Sequence, residues 1–413
     1  MSLSTQPYKG ARDFYPEDKR LQKYIFDKLR QVVESFGYQE YDAPILEPLD
    51  IYLAKTGEEI VNEQLYSFVD RGGRRVAIRP EMTPSVSRMV AGRRQELAYP
   101  LRWYSIANFW RYERPQRGRL REHYQLNADI FGVEGVAADA EIIQVADSIL
   151  KSLGAKAEMY RININSRVAM IQAMKEFGLE GTELKAVYKL VDKMPKLTDE
   201  DFKKVLSENL SAEKATKLLK YLDNNQPPEK VDRLLSLLKS VGVTSATYEP
   251  SVVRGLEYYT DIVFEVFDTN PENARALFGG GRYDGLVGLF GVEPLPTVGF
   301  GMGDVTLQNF LEAHKLLPKL QVETDAIVVL IGDLYESAQS LLAQLRESGL
   351  KLAVDSSGRK LDAQLKSADK SGVKHVIFIG EAELKSKKLK LKNLQTGDER
   401  QLSAEELVKA LQS

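Results

Sequence analysis

A chain of 413 residues exceeds the length at which a single hydrophobic core stops growing, so two or three domains are expected. Its 28% charged and 43% hydrophobic residues exclude wholesale disorder, and a net charge of −2 leaves any contact with phosphates to a local basic patch. The lack of cysteine excludes disulfides, thiolate-ligated zinc, iron–sulfur clusters and thiol catalysis, and the three histidines, His123, His314 and His375, are too scattered to suggest a metal site.

The first residues, Met1 to Pro7, lack the apolar core of a signal peptide, and no apolar run reaches the roughly 18 residues of a membrane span. A cytoplasmic protein is the expectation. Residues 17 to 36 place Leu21, Tyr24, Ile25, Leu29, Val32, Val33 and Phe36 at helical spacing, and Gly37 supplies a stop. Tyr38 to Glu47 reads as extended, with Pro44 favouring an edge or an interface. Strand-like runs follow at Leu65 to Val69 and Val76 to Ile78, either side of the turn Arg71-Gly72-Gly73. Strands with helices segregated to one side predict an α+β domain built on an antiparallel sheet.

Leu101 to Trp110 and Tyr124 to Phe131 have high β propensity, so the tract between them is expected to join two antiparallel strands. That tract, Arg111 to Arg121, holds five arginines and no lysine in eleven residues. Arginine presents a planar fork of donors that grips phosphate or carboxylate bidentately, which suits a polyphosphate; a solvated basic hairpin tip is the plainer alternative. From Ser166 to Val243 the pattern turns helical and looks inserted, before strand signals return at Val252 to Phe267, followed by the glycine-rich stretches Phe278 to Leu286 and Thr297 to Gly303. Ala326 to Ile331, a helix from Glu336 to Glu347, Leu350 to Val354, a helix near Leu361 to Ala368 and Val376 to Ile379 alternate as a small parallel-sheet α/β domain. Its Lys385 to Lys392 segment reads as a lysine-guarded edge strand. The expected boundaries are 1–165 and 246–315 for the α+β domain, 166–245 for a helical insertion, 316–324 for a linker and 325–413 for the α/β domain.

Three clusters accompany the arginine tract. Glu81 and Thr83, two apart, are expected on one face of a strand end, a carboxylate and a hydroxyl able to hold an ammonium group. Alternation sends Gln125, Asn127 and Asp129 to one face of their strand, lining a polar pocket or an exposed sheet face. Arg254 with Tyr258 and Tyr259, at the start of the next strand, joins the glycine stretch 279–285 as a second wall, since glycine lets backbone approach a ligand closely; a surface arginine before a core aromatic pair is the alternative for the first of these.

Arg111-Tyr112-Glu113-Arg114-Pro115-Gln116 with Gln125 and Asp129 resembles motif 2 of the histidyl-tRNA synthetases, class II enzymes. Arg254-Gly255-Leu256-Glu257-Tyr258-Tyr259 and Gly280-Gly281-Arg282-Tyr283-Asp284-Gly285-Leu286 resemble that family's two histidine-specific signatures. Lys9-Gly10-Ala11-Arg12-Asp13, the Pro44 segment (motif 1) and Arg79-Pro80-Glu81-Met82-Thr83 also match in order. The likeness spans essentially the whole chain. It implies a class II catalytic domain with an antiparallel sheet and flanking helices, an inserted helical domain and a C-terminal α/β domain similar to an anticodon-binding module.

The implied activity is ligation of L-histidine to its tRNA through histidyl-adenylate, with ATP as co-substrate, Mg2+ bound mainly through the ATP phosphates, and a homodimer joined by motif 1. By the same resemblance Arg111 and Arg254 would be catalytic, gripping the α-phosphate from opposite sides. Glu81, Thr83 and Gln125 would hold the α-amino group. Asp129 and Tyr259 would read the two imidazole nitrogens, with Tyr258 and Tyr283 in the same pocket. Glu113, Arg119, Arg121 and His123 would meet ATP, the arginines at the outer phosphates and His123 against adenine. Arg114 and Gln116 would face the acceptor end of the tRNA. Two residues depart from the family pattern: Asp129 stands where a glutamate is common, and Thr306 where motif 3 usually carries an arginine for the γ-phosphate. A catalytically silent, histidine-sensing paralogue such as a regulatory subunit of ATP phosphoribosyltransferase is the alternative, and a class II ligase for proline or threonine would leave Arg254 to Tyr259 unexplained.

Overall fold

Helix α1 (Pro16–Ser35) opens the first unit of the computed structural model, which describes residues 3–53, 63–194, 197–224, 226–254, 258–273 and 276–412. Proline at its first turn needs no amide partner, the Asp18 carboxylate accepts from Tyr15 N–H at 3.2 Å, and Ile25, Leu29 and Val33 form one buried stripe. By contacts the chain divides into two units, Met1–Leu317 and Pro318–Ser413.

In the first unit β1 (Gln39–Glu40), β2 (Leu46–Pro48), α2 (Asp50–Leu53), β3 (Tyr66–Val69), β4 (Arg75–Ile78) and α3 (Thr83–Gly92) come first. The long hairpin β5 (Leu101–Trp110) and β6 (Glu122–Phe131) follows, then α4 (Val136–Ser152) and β7 (Tyr160–Ser166). Helices α5 (Arg167–Glu176), α6 (Gly181–Lys193), α7 (Asp199–Asn209), α8 (Ala212–Leu222) and α9 (Glu229–Ser240) precede β8 (Ala246–Tyr248), β9 (Ile262–Asp268), β10 (Ala276–Arg282), β11 (Thr297–Gly303) and α10 (Asp304–Ala313). Eight strands form one sheet in the order β1-β5-β6-β11-β10-β9-β7-β8, antiparallel throughout its middle and parallel only at the β1–β5 and β7–β8 margins. Strands β2, β4 and β3 make a separate small sheet, so the extended run 38–47 serves two sheets.

Alternation along the strands decides the two faces of the large sheet. Leu126, Ala128 and Ile130 of β6, Val298, Phe300 and Met302 of β11, and Phe264 and Val266 of β9 all turn to the rear, where they meet α1 and α4 in one buried core. Each such Leu, Ile, Val, Phe or Met burial contributes about 1.5–3 kcal/mol. Residues in between, including Gln125, Asn127, Asp129, Gly279 and Gly281 of β10 and Gly299 and Gly301 of β11, turn to the front.

Helices α5 to α8 gather around a core of their own, with Met170, Met174, Val191, Phe202, Leu206 and Leu218 fully buried. Ser166, Thr198 and Ser211 cap three of these helices by accepting from backbone N–H groups three residues on. Helix α9, read from sequence as part of the same helical block, instead lays Val231, Leu234 and Leu238 into the main core against α4. The hydrophobic stripe of a helix does not say which core it enters.

The second unit comprises β12 (Ala326–Leu330), α11 (Tyr335–Glu347), β13 (Leu352–Asp355), α12 (Leu361–Lys370), β14 (His375–Ile379), α13 (Glu381–Ser386), β15 (Leu389–Asn393), β16 (Glu399–Leu402) and α14 (Ala404–Gln412). Its sheet runs β13-β12-β14-β15-β16, parallel among the first three and antiparallel at β14–β15 and β15–β16, so it is mixed and not purely parallel. The lysine-rich segment is also not an edge. Residues 381–386 are helical and β15 lies between two partners, its Lys390 and Lys392 paired across to Glu399 of β16, the true edge, at 2.7 and 3.0 Å. Alternating charge and apolarity fits an inner strand with one solvated face as well as an edge.

Candidate active site

Four glycines floor the front of the large sheet. Gly279 pairs with Gly301 and Gly281 with Gly299 across β10 and β11, and β6 continues the two rows with Asn127 and Asp129. Neighbouring strands lie about 4.8 Å apart, so the rows set a flat, side-chain-free strip beside the polar face of β6. Each glycine lies under one functional side chain. A Cβ at Gly279 would overlap the Arg254 guanidinium, at Gly281 the Tyr259 ring, at Gly299 the Asp129 carboxylate and at Gly301 the Gln125 amide.

Arg254 is reached by a route the sequence pattern did not foretell. The strand expected from Val252 starts only at Ile262, because Arg254 has φ +54°, in the left-handed region that a strand residue cannot occupy. Its Nη1 pairs with Glu265 Oε1 at 3.0 Å, and the guanidinium carbon lies 5.8 Å from the centre of the Tyr259 ring. Glu265 is a residue that the sequence analysis missed, although a lone carboxylate within the apolar run Ile262 to Phe267 is a visible signal. Gly255, Leu256 and Glu257 of the same signature lie outside the described residues.

Tyr258, Tyr259 and Tyr283 form a buried aromatic group, with Tyr258–Tyr259 and Tyr258–Tyr283 centroids 5.0 and 5.6 Å apart. The Tyr283 hydroxyl donates to Asp129 Oδ1, and the Tyr258 hydroxyl donates to Glu81 Oε2 at 3.1 Å. Tyr283 is thus the phenol on Asp129. Burial pushes Asp129 up to about 7 against the partial opposition of the Tyr283 donor, so this carboxyl is ionised above that pH and protonated below it. Its second oxygen, Oδ2, is buried without a hydrogen-bond partner among the described residues. Such an acceptor suits a ring N–H brought by a ligand.

Glu81 and Thr83 are both buried, but not on a strand. Strand β4 ends at Ile78, Glu81 lies in the following turn and Thr83 begins α3, where Pro84 fits the first helical turn. Arg79, only 3% exposed, fixes that turn: Nε donates to Asn108 O at 3.0 Å, and Nη1 reaches Asp42 Oδ1 at 3.0 Å and Ala43 O at 2.5 Å. Arg111 ties the turn to the hairpin through Nε to Pro80 O at 2.9 Å.

Strands β5 and β6 are in unbroken register from Leu101 with Phe131 to Trp110 with Glu122, and the arginine tract is the loop at their end. Arg111 N–H donates to Arg121 O at 2.8 Å, and Gln116 and Arg119 close the tip. The five arginines divide by environment. Arg121 lies 4.0 Å from the Tyr112 ring centre and donates to the Tyr8 hydroxyl at 3.0 Å, which makes it a brace between the loop and the N-terminal segment. Arg119 Nη1 stands 3.6 Å from Glu113 Oε2 and is half exposed, and Arg114, Gln116 and Arg117 are exposed. His123 tilts against Phe109 with centroids 5.9 Å apart; burial first, then Arg111 and Arg12, lower it to about 3, so it is neutral at physiological pH. Thr306 is spent on backbone, its hydroxyl donating to Leu277 O at 2.7 Å.

A buried ion pair anchors the second signature. Arg282 Nη2 meets Asp139 Oδ1 of α4 at 3.0 Å, and the guanidinium also donates to Val133 O and Gly135 O. Burial raises Asp139 to about 6 while Arg282 opposes the shift. The pair fixes the end of β10, from which Tyr283 projects.

The histidyl-tRNA synthetase family model matches residues 10–305, and an anticodon-binding domain model matches residues 325–413. The chain belongs to the histidyl-tRNA synthetase family. It is 43% identical to a histidine–tRNA ligase of Leptospira biflexa over 95% of this chain and 94% of that protein. It is 39% identical to the histidine–tRNA ligase of Thermoplasma volcanium over 99% of each. Among solved structures, the histidyl-tRNA synthetase of Nostoc sp. PCC 7120 has the same fold, with a TM-score of 0.83 at 23% identity over 100% of this chain and 99% of that one. The family's class II fold accounts for the central antiparallel sheet with helices behind it, and the second unit for the anticodon-binding module. No described helix is long and apolar enough to cross a membrane.

Proposed function

We propose that the chain joins L-histidine to its tRNA in two steps on the glycine-floored face. In the first, a carboxylate oxygen of histidine attacks the α-phosphorus of ATP and pyrophosphate leaves; in the second, a terminal ribose hydroxyl of the tRNA attacks the activated carbonyl and AMP leaves. Such displacements need cations and exact placement more than covalent help. The observation that carries the reading is that Gly279, Gly281, Gly299 and Gly301 each underlie one member of a single set of ligand-binding side chains.

In this reading Arg111 and Arg254 are the cations at the α-phosphate, Arg111 with terminal nitrogens that take no partner among the described residues and Arg254 held by Glu265. Glu81, Thr83 and Gln125 receive the ammonium group, with Tyr258 on Glu81. Asp129 takes one ring N–H and is itself oriented by Tyr283. A site built on buried polar groups rejects analogues lacking the matching N–H by orders of magnitude, since its acceptors would be left unpaired. Neutral His123 and Glu113 flank the adenosine, and Arg119 reaches the outer phosphates that Thr306, uncharged, does not serve. Mg2+ enters with ATP on the phosphate oxygens. Arg114 and Gln116 at the exposed tip meet the tRNA acceptor end. Exposed Leu46 and Phe68, which register places on one face of the small β2-β4-β3 sheet, offer the apolar surface for a homodimer.

The direct test is charging: labelled histidine transferred to total tRNA in the presence of ATP and Mg2+, with AMP formed in step. Histidine binding without transfer or adenylate formation would point to the histidine-sensing regulatory role instead. Thr306 is the one feature on that side; the intact Arg254 arrangement stands against it.

A further inference from the structure

Behind the ring pocket three buried polar atoms take no well-formed hydrogen bond among the described residues: Asp129 Oδ2, the Tyr41 hydroxyl and the Ser105 hydroxyl. Register brings them together. Parallel pairing sets Glu40 of β1 against Tyr104 of β5, and Tyr41 N–H then donates to Tyr104 O at 2.8 Å, so Tyr41 runs alongside Ser105. Ser105 pairs with Asn127, and Trp103 with Asp129, all on the front of the sheet. The Tyr41 ring packs on Trp103 with centroids 5.7 Å apart. Burial, then the negative charge of Asp129, pushes the Tyr41 phenol upward, and a direct contact with the Ser105 hydroxyl, short of hydrogen-bond geometry, opposes the shift.

Buried waters typically make about three hydrogen bonds to groups that are otherwise unsatisfied, and three such groups meet here. We propose that Tyr41, Ser105 and Asp129 bind one ordered water molecule behind the ring pocket, and that Tyr41 and Ser105 are thereby specificity-determining residues for histidine. Tyr41 donates to the water, which donates to the Ser105 oxygen and to one lone pair of Asp129 Oδ2, leaving that oxygen's other lone pair for the ring N–H. The water backs the carboxylate from the side away from the ligand, keeping it ionised and aimed at the ring N–H. The other groups around Asp129 do not replace it. Tyr283 already donates to Oδ1, Tyr258 donates to Glu81, and the phenol of Tyr38 lies beside the Arg102–Glu141 pair. Arg79, near Tyr41, is committed to Asp42 and backbone carbonyls.

The inference rests on Asp129 as the ring acceptor, so Asp129→Asn is measured beside Tyr41→Phe and Ser105→Ala in the full chain, by histidine-dependent ATP–pyrophosphate exchange across neutral pH. Each hydroxyl deletion is expected to raise the KM for histidine about tenfold with the KM for ATP unchanged. The acid limb of kcat/KM for histidine should move to higher pH, because a carboxylate that loses a donor titrates higher. The ligand's own imidazole titrates identically in all variants, so only the difference between them is read. The double variant should be no worse than either single one, since both act through one water. An unmoved acid limb and an unchanged KM for histidine in the hydroxyl variants, with Asp129→Asn impaired, would overturn the water site alone. A silent Asp129→Asn would overturn the ring-acceptor reading with it. If one hydroxyl variant does not fold, the other decides.

Discussion

The two ends of the site are built on opposite principles. At the arginine loop, charged side chains lie on one short, continuous segment, most of them exposed and held by single contacts such as Arg119 with Glu113 at 3.6 Å. At the ring pocket, Asp129, Tyr258, Tyr259 and Tyr283 come from three separate stretches, are buried, and depend on glycines in two further strand positions for their space. One end is a local device suited to a highly charged ligand that water would otherwise solvate. The other is a core with a polar interior, where selectivity comes from the cost of an unmatched group.

The sharpest way to break that contrast is at its anchor. Arg282→Ala strands Asp139 in the interior, and the expected loss is about 3–5 kcal/mol of stability, read by denaturant unfolding. A loss below about 1 kcal/mol would mean that the ring pocket is not held as a core. Arg254→Ala should leave stability nearly unchanged while slowing adenylate formation by about 10²–10³-fold in single-turnover measurements, and near-normal rates would remove Arg254 from the mechanism. Gly301→Ala sets a methyl group against the Gln125 amide, so histidine binding should weaken by about tenfold or more while ATP binding holds, as calorimetry with each ligand would show. Equal losses for both ligands would indicate a distorted sheet. The smallest effect is expected at the loop tip. Arg114→Ala should leave pyrophosphate exchange alone and slow transfer to tRNA by a few-fold, about the worth of one exposed phosphate contact, with a weaker salt dependence.

The same contrast governs what could be read from the sequence. The arginine loop was legible, because a hairpin and its charged tip are local: β propensity on both sides predicts Leu101–Trp110 pairing with the strand that ends at Phe131, as it does. Gln125, Asn127 and Asp129 were legible as one face, since period-two alternation fixes direction. What alternation cannot say is which strand lies next. That Tyr283 meets Asp129, or that Tyr41 runs beside Ser105, follows from an eight-strand order that no window of sequence contains. The spacing of two between Glu81 and Thr83 reads as the extended end of a strand, whereas Pro84 and the apolar residues after it start a helix. Arg254 defeated the strand reading through a backbone angle that its side chain does not announce. Helix α9 and strand β15 show the same limit in the scaffold: their periodicity was plain and their partners were not.

The most direct test of the account is amino-acid-dependent ATP–pyrophosphate exchange on the purified protein, with histidine beside each of the other amino acids and a blank without any. The account predicts exchange with histidine alone, carried out despite the neutral Thr306. Exchange with another amino acid, or none with histidine while calorimetry still detects its binding, would contradict it.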